Sequence, residues 1–429
     1  MDAMPRLAQA AAHRIGAGAL NGRPVGELAA DLGVSERHLR RAMEHEVGVS
    51  PVELAQTHRL LLAKRLLADT RLPVTRIAYA SGFQSLRRFN SAFRERYRLT
   101  PSALRRSLRN GGHLRKVRDL GNSEPPDAIP GDDLLRLTLD YRPPLAWDAL
   151  ADSLRRDAIS GVEFIEGLRY GRTVRIDGRE GFILAEDAAG SKANGSRETT
   201  HLDVHVSGSL TPALMPVLAR LRRLFDLDAE PAEIDACLSA GGLDVLVARR
   251  PGLRLPGAFD GFEIALRVLL RGRSHPGASR NELAGRIAWA LGEPIDTGIP
   301  ELVRLAPSPE RVAEADSSDL MALGVPRRRA TALAEIARQV ADGALRLEPG
   351  EDATAIRRRL TRIDGVGKRL ATAIVTRALS WPDAFCASDR ALQRAAGAPG
   401  PGHLRERAES WRPWRAYAAL HLRLEDQER

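Results

Sequence analysis

Apolar residues Val25, Leu28, Ala29 and Leu32 fall one helical turn apart, and the stripe they draw belongs to a helix ending at Gly33. Ser35, a good N-cap, then opens a second helix with Leu39 and Met43 turned inward. The same pattern returns as Val74, Ile77, Ala78 and Gly82, each 49 residues after its counterpart, followed by Ser85, Phe89 and Phe93. This spacing predicts a duplicated helix-turn-helix, each unit turning at a glycine free to adopt positive φ. Between the units, Val52 to Leu67 contains neither glycine nor proline and reads as one stiff connecting helix.

The pattern changes further along. Leu135-Arg136-Leu137-Thr138-Leu139 alternates apolar and polar residues, as do Thr173 to Ile176 and Leu202 to Val206, which predicts strands. Trp147 to Leu154 and Leu214 to Leu224 keep helical spacing, so an antiparallel sheet with flanking helices is the simplest arrangement. Ala188 to Thr200 is rich in Gly, Ser and Asn and reads as a loop. From Pro256 onward the chain is almost all helix by pattern, with Phe262 to Leu270, Glu282 to Leu291 and Arg329 to Val340 clearest. Gly111-Gly112, Pro125-Pro126 and Gly131 give residues 111 to 133 linker composition. The expected protein is multidomain and mainly α: a helix-turn-helix domain over 1 to 110, the linker, an α+β domain over 134 to 250, and an all-α domain over 251 to 429.

Charge sharpens the picture. The formal net charge is +10, and residues 1 to 120 carry 22 Lys+Arg against 10 Asp+Glu, so the excess sits with the duplicated unit. That is the footprint of an anionic partner. The second helix of each unit would present Arg37, His38, Arg40 and Arg41, and then Arg87, Arg88, Asn90 and Arg94. Arginine suits guanine edges and phosphates, and asparagine suits adenine. A stiff connector would set the two helices in consecutive major-groove faces, roughly 34 Å apart. Cys237 and Cys386 are the two cysteines, so neither a disulfide framework nor a cysteine zinc site is expected. No metal or other cofactor is called for. The absence of a signal-like start or long apolar run points to the cytoplasm.

Near the end stands Leu360-Thr361-Arg362-Ile363-Asp364-Gly365-Val366-Gly367-Lys368-Arg369. Two glycines around one apolar residue allow a tight hairpin whose backbone N–H groups, with Lys368, can meet a phosphate at the next helix start. Ile363 and Val366 would anchor it inward. Such a grip holds duplex DNA without reading its sequence.

Residues 7 to 107, with Ala80-Ser81-Gly82-Phe83 and Phe93-Arg94-Glu95-Arg96-Tyr97 followed by Thr100-Pro101, resemble the AraC-type DNA-binding domain. Residues 134 to 424 resemble the 3-methyladenine DNA glycosylase II family of the helix-hairpin-helix superfamily. The motifs that carry this are Tyr141-Arg142-Pro143-Pro144-Leu145, the hairpin, Asp389 placed 22 residues after Gly367, and Trp411-Arg412-Pro413-Trp414. The resemblance implies that Asp389 is the catalytic carboxylate. It also implies a reaction in which a damaged base is flipped from duplex DNA and cut from its sugar. The superfamily's strand-cleaving members place a lysine two residues after the second hairpin glycine; here that place holds Arg369, which implies a monofunctional enzyme.

This chain departs from the family at several places. Asp364, Arg369, Ala373, Arg390 and Arg423 stand where relatives carry proline or the aromatics of the base pocket. Ser274 falls at the position of the wedge that fills the vacated stack. The cysteine-rich methyl-acceptor domain that begins relatives of this fusion is expected to be absent. The expected function is excision of damaged, alkylated bases by a glycosylase fused to a sequence-specific regulator domain. A glycosylase for another lesion, such as a deaminated purine, and a regulator whose glycosylase portion only binds are the alternatives.

Overall fold

The computed structural model describes residues 3–110, 134–188, 200–271 and 281–428. Seven helices form the first domain: α1 Ala3–Gly16, α2 Val25–Asp31, α3 Glu36–Glu46, α4 Pro51–Asp69, α5 Val74–Ala80, α6 Leu86–Tyr97 and α7 Pro101–Asn110. The duplication is visible in the caps. Ser35 accepts from the His38 N–H at 3.2 Å and Ser85 from the Arg88 N–H at 3.5 Å. Gly33 and Gly82 both turn at positive φ, +69° and +88°. At Gly82 the positive φ favours glycine, and a Cβ there would also push on the Asn21 side chain, whose Oδ1 would lie 2.3 Å away. The connector α4 opens with a capping box, Ser50 with Glu53, and its 19 residues run about 28 Å at 1.5 Å per residue.

A five-stranded antiparallel sheet follows, made of β1 Leu135–Asp140, β2 Glu163–Glu166, β3 Arg169–Ile176, β4 Arg179–Asp187 and β5 His201–Val206 in the order β1-β5-β4-β3-β2. Leu137 sits opposite Val204, and Tyr170 opposite Ala185. Strands β1 and β5 bury alternate residues, which is why their alternation could be read. Strand β4 buries both faces: Ile183 and Ala185 enter one core while Phe182 and Leu184 pack against Leu302. It therefore reads as a continuous apolar run. Helix α8 Trp147–Arg155 lies across this sheet, its Trp147 indole donating to the Leu168 carbonyl at 2.9 Å.

Helices α9 Leu214–Leu224, α10 Pro231–Leu238 and α11 Asp244–Arg249 lead into the last domain. That domain comprises α12 Gly261–Leu270, α13 Glu282–Leu291, α14 Pro309–Glu314, α15 Ser317–Ala322, α16 Arg327–Ala341, α17 Ala353–Leu360, α18 Lys368–Ala378, α19 Arg390–Ala395, α20 Pro401–Arg407 and α21 Arg415–Glu428. Every residue of α12 is buried, including Glu263 and Arg267. These two join Glu163 and Arg172 of the sheet in one closed cluster. Arg172 reaches Glu263 at 2.7 Å and Glu163 at 3.3 Å, and Arg267 reaches Glu163 at 2.7 Å and Glu263 at 3.1 Å. The Tyr170 hydroxyl donates to Glu163 at 2.6 Å. The cluster pins sheet to helices at fixed angles, since a buried charge must keep its partner.

The regulator-like domain packs on both neighbours. Leu60, Leu67, Phe89 and Phe93 belong to the same apolar core as Leu135, Val206 and Leu214. On the other side, Arg14 pairs with Glu351 at 2.6 Å, Arg346 donates to the Asp31 carbonyl at 2.6 Å, and Gly350 lies close against Ala10.

Candidate functional site

Helices α8, α12, α18 and α21 converge on a cleft of about 170 Å³. This is small beside the roughly 300 to 1,000 Å³ of sites for drug-sized ligands, and suits a single base. Arg369, Thr372, Ala373, Thr376 and Arg377 line it from α18, Ala416, Ala419, Leu420 and Arg423 from α21, and Phe385 and Cys386 from the turn before α19. Asp389 caps α19 beside it. One carboxylate oxygen accepts from the Ala391 N–H at 3.0 Å and the other from Arg423 at 2.9 Å. Both oxygens are thereby oriented, and the residue is 6 % exposed. Asp389 is thus both a helix cap and an ion-pair partner at the cleft's edge.

Of the positions where the family's proline or aromatics are replaced, Arg369, Ala373 and Arg423 line the cleft; Asp364 and Arg390 do not. Asp364 pairs on the surface with Arg328 at 2.8 Å. The floor holds a group that no spacing announced. Asp157, buried below α8, accepts from Arg271 and Arg377, and Arg377 also donates to the Pro256 and Gly257 carbonyls at 3.0 and 3.3 Å. Burial alone would push the Asp157 carboxyl up, but Arg377, Arg271 and Arg267 outweigh it and hold it below the ordinary range. Arg377 follows the apolar run Ile374-Val375 of α18, and an arginine at the end of that buried stretch was the available sequence signal. Ser274, the expected wedge, lies outside the described residues.

The hairpin precedes α18. Gly365 turns at φ +87°, and a Cβ on it would lie 2.5 Å from the Arg328 carbonyl oxygen, so only glycine fits. Gly367 differs: its φ is −76°, and a Cβ there would meet only open space. The two glycines thus have separate reasons, one conformational and one of clearance. Val366 is buried and Lys368 exposed. The first internal helix bond is Ala371 N–H to the Gly367 carbonyl, and no side chain caps α18, so the N–H groups of its first turn point outward unpaired by the helix.

In the duplicated domain, Arg37, His38 and Arg41 are exposed on α3, as are Arg87 and Arg88 on α6, with Asn90 half-buried. Arg40 is engaged by Glu36 of its own helix at 2.6 Å. Shallow grooves run along both helices, one edged by Arg37 and Arg41, the other by Arg87, Asn90 and Arg94. Among the described residues no His, Cys, Asp or Glu cluster is arranged to hold a metal ion. No helix among them is long and apolar enough to cross a membrane.

An exposed reading helix in each of two repeats, a small antiparallel sheet and a hairpin-led helical domain around a carboxylate define a DNA glycosylase joined to a helix-turn-helix module. Comparison with known proteins makes the relationship specific. The family description "AlkA N-terminal domain" matches residues 136–260, and "Helix-turn-helix domain" matches residues 28–107. The "Probable bifunctional transcriptional activator/DNA repair enzyme AlkA" of Mycobacterium tuberculosis is 34% identical over 403 residues, covering 93% of this chain and 76% of that protein. DNA-3-methyladenine glycosylase 2 of Escherichia coli is 34% identical over 286 residues, covering 66% of this chain and 95% of its own length. The 3-methyladenine DNA glycosylase of Archaeoglobus fulgidus shares the fold at TM-score 0.57 and 19% identity, over 68% of this chain and 98% of its own. The chain belongs to the AlkA family, in its bifunctional form of an AraC-type transcription-regulator domain fused to a DNA glycosylase.

Proposed function

We propose that this protein is a monofunctional glycosylase that draws a damaged base out of duplex DNA into the cleft beside Asp389, and that its amino-terminal domain binds a specific DNA sequence. The observation that carries the reading is a buried, doubly oriented carboxylate at the edge of a base-sized cleft directly after the hairpin. As the bond from C1′ to the base nitrogen breaks, positive charge builds on the sugar. A fixed anion stabilises that charge without reorganising at the moment of reaction. Water then bonds to C1′ and leaves an abasic site. Lysine does not line the cleft among the described residues; Arg369 does, and a guanidinium forms no Schiff base with the sugar. We divide the chain at 1 to 110, 134 to 250 and 251 to 429, and place it in the cytoplasm.

We assign the outward N–H groups of α18, with Lys368, to a phosphate of the duplex. Gly367→Val should keep the fold, since its Cβ meets no neighbour, yet fill the space a phosphate needs. Affinity for duplexes of unrelated sequence should fall alike, by tenfold or more, in a fluorescence-polarisation titration; a loss confined to one sequence contradicts the assignment.

The exposed Arg37 and Arg87 are assigned to operator DNA, one from each reading helix. Replacing both with alanine should weaken binding and make the log-log salt slope shallower by about 0.9 for each phosphate no longer neutralised. Unchanged affinity and slope would remove both residues from the interface. Base release from a defined duplex, assayed by strand scission after alkali, tests the reading as a whole.

A further inference from the structure

The cleft is lined by five guanidinium groups, from Arg156, Arg271, Arg369, Arg377 and Arg423, and by one carboxylate, Asp157, with Asp389 adjoining. Arg271 and Arg377 are held by Asp157, Arg423 by Asp389, and Arg156 by the Gln427 side chain at 2.6 Å. Arg369 makes no ion pair or hydrogen bond among the described residues, so its donors are free to face an occupant. Phe385 is the one aromatic side chain among the described residues lining the cleft, and it lies near the Arg415 guanidinium. The site therefore offers positive charge and N–H donors where a base would sit, and little π surface.

A purine alkylated at N3 or N7 is a cation while attached to its sugar. It gains from stacking on aromatic faces and loses beside guanidinium groups. A deaminated purine such as hypoxanthine is neutral and presents a carbonyl oxygen and ring nitrogens as acceptors. Its departure also makes a different demand. When the C1′–N9 bond breaks, the electron pair leaves with the purine, water's oxygen bonds to C1′, and a proton from that water ends on the released base through solvent. Negative charge develops on the neutral purine as it leaves, whereas an alkylated purine leaves uncharged. A guanidinium facing the ring stabilises only the first of these leaving groups.

We infer that the cleft selects a neutral, carbonyl-bearing purine of the deaminated class over cationic alkylated purines, and that Arg369 is the specificity-determining residue. This rests on the glycosylase reading above. Two duplexes decide it, one carrying a single hypoxanthine and one a single 7-methylguanine, each treated with the full-length protein and its Arg369→Gln variant below saturation. The wild type should release hypoxanthine, and Arg369→Gln should lower the ratio of hypoxanthine to 7-methylguanine kcat/KM at least tenfold. Arg369 is exposed at the helix start, so the variant should fold; matching circular dichroism melts verify this. Equal losses on both substrates would make Arg369 a general DNA contact and overturn the inference alone. So would release of 7-methylguanine without hypoxanthine. Release of neither base, with duplex binding intact, overturns the glycosylase reading and the inference with it.

Discussion

Asp389→Asn is expected to slow base release by about a hundredfold to a thousandfold, the effect of removing about 2.7 to 4 kcal/mol of preorganised electrostatic stabilisation. The substitution removes the charge while keeping side-chain size and the helix cap. Asparagine caps a helix as well as aspartate does, so the Ala391 N–H keeps an acceptor and α19 keeps its start. The amide's NH2 then takes the place of the oxygen that faced Arg423, so the ion pair to Arg423 is lost together with the charge. What disappears is the negative charge at the cleft's edge that we propose stabilises the sugar. Single-turnover kinetics on a lesion duplex, with duplex affinity measured beside it, separates the outcomes. A large rate loss with binding retained is expected, and a rate equal to wild type would reduce Asp389 to a cap and ion-pair partner.

Arg172→Met should cost about 3 to 5 kcal/mol of folding stability, because it leaves buried carboxylates short of a partner. Arg172 is 2 % exposed, shared between Glu163 and Glu263, and stacked 4.2 Å from the Phe259 ring centroid. Arg267 remains in the variant but cannot serve both acids as two arginines did. Urea unfolding followed by fluorescence and circular dichroism gives the shift in midpoint, and a change below about 1 kcal/mol contradicts a structural role for the cluster. The pH dependence has a definite sign. Burial pushes Glu163 up, yet Arg267 and Arg172 outweigh it and hold its carboxyl below the ordinary range. The stabilisation from Glu163 is thus fully present above its unfolded pKa and fades as pH falls through the lowered folded value. In Arg172→Met that acid-side decline should begin at higher pH.

The duplicated helix-turn-helix was legible almost residue by residue, because its signals are local: apolar spacing, serine caps and turning glycines that recur in the same order in both units. The hairpin was legible for the same reason, although only Gly365 needs glycine's backbone freedom, while Gly367 supplies clearance. Strands β2 and β4 escaped, β4 because burial on both faces erases alternation. Glu263 and Arg267 lie one turn apart in a helix read only by its apolar pattern, and their partners Arg172 and Glu163 come from the sheet, so the buried cluster could not be read from spacing. Asp157 and Arg377 lie 220 residues apart, and only the fold brings them to the cleft floor. Packing of the regulator domain on the sheet and on the loop at Gly350 was hidden likewise, since each residue involved reads locally as ordinary core or surface.

The most direct test of the central claim uses the full-length protein in excess over a duplex carrying one hypoxanthine or one alkylated purine. The account predicts free base in solution and an unbroken abasic strand that breaks only after alkali, with nothing trapped by borohydride. Strand cleavage without alkali, together with a borohydride-trapped protein–DNA adduct, would contradict it.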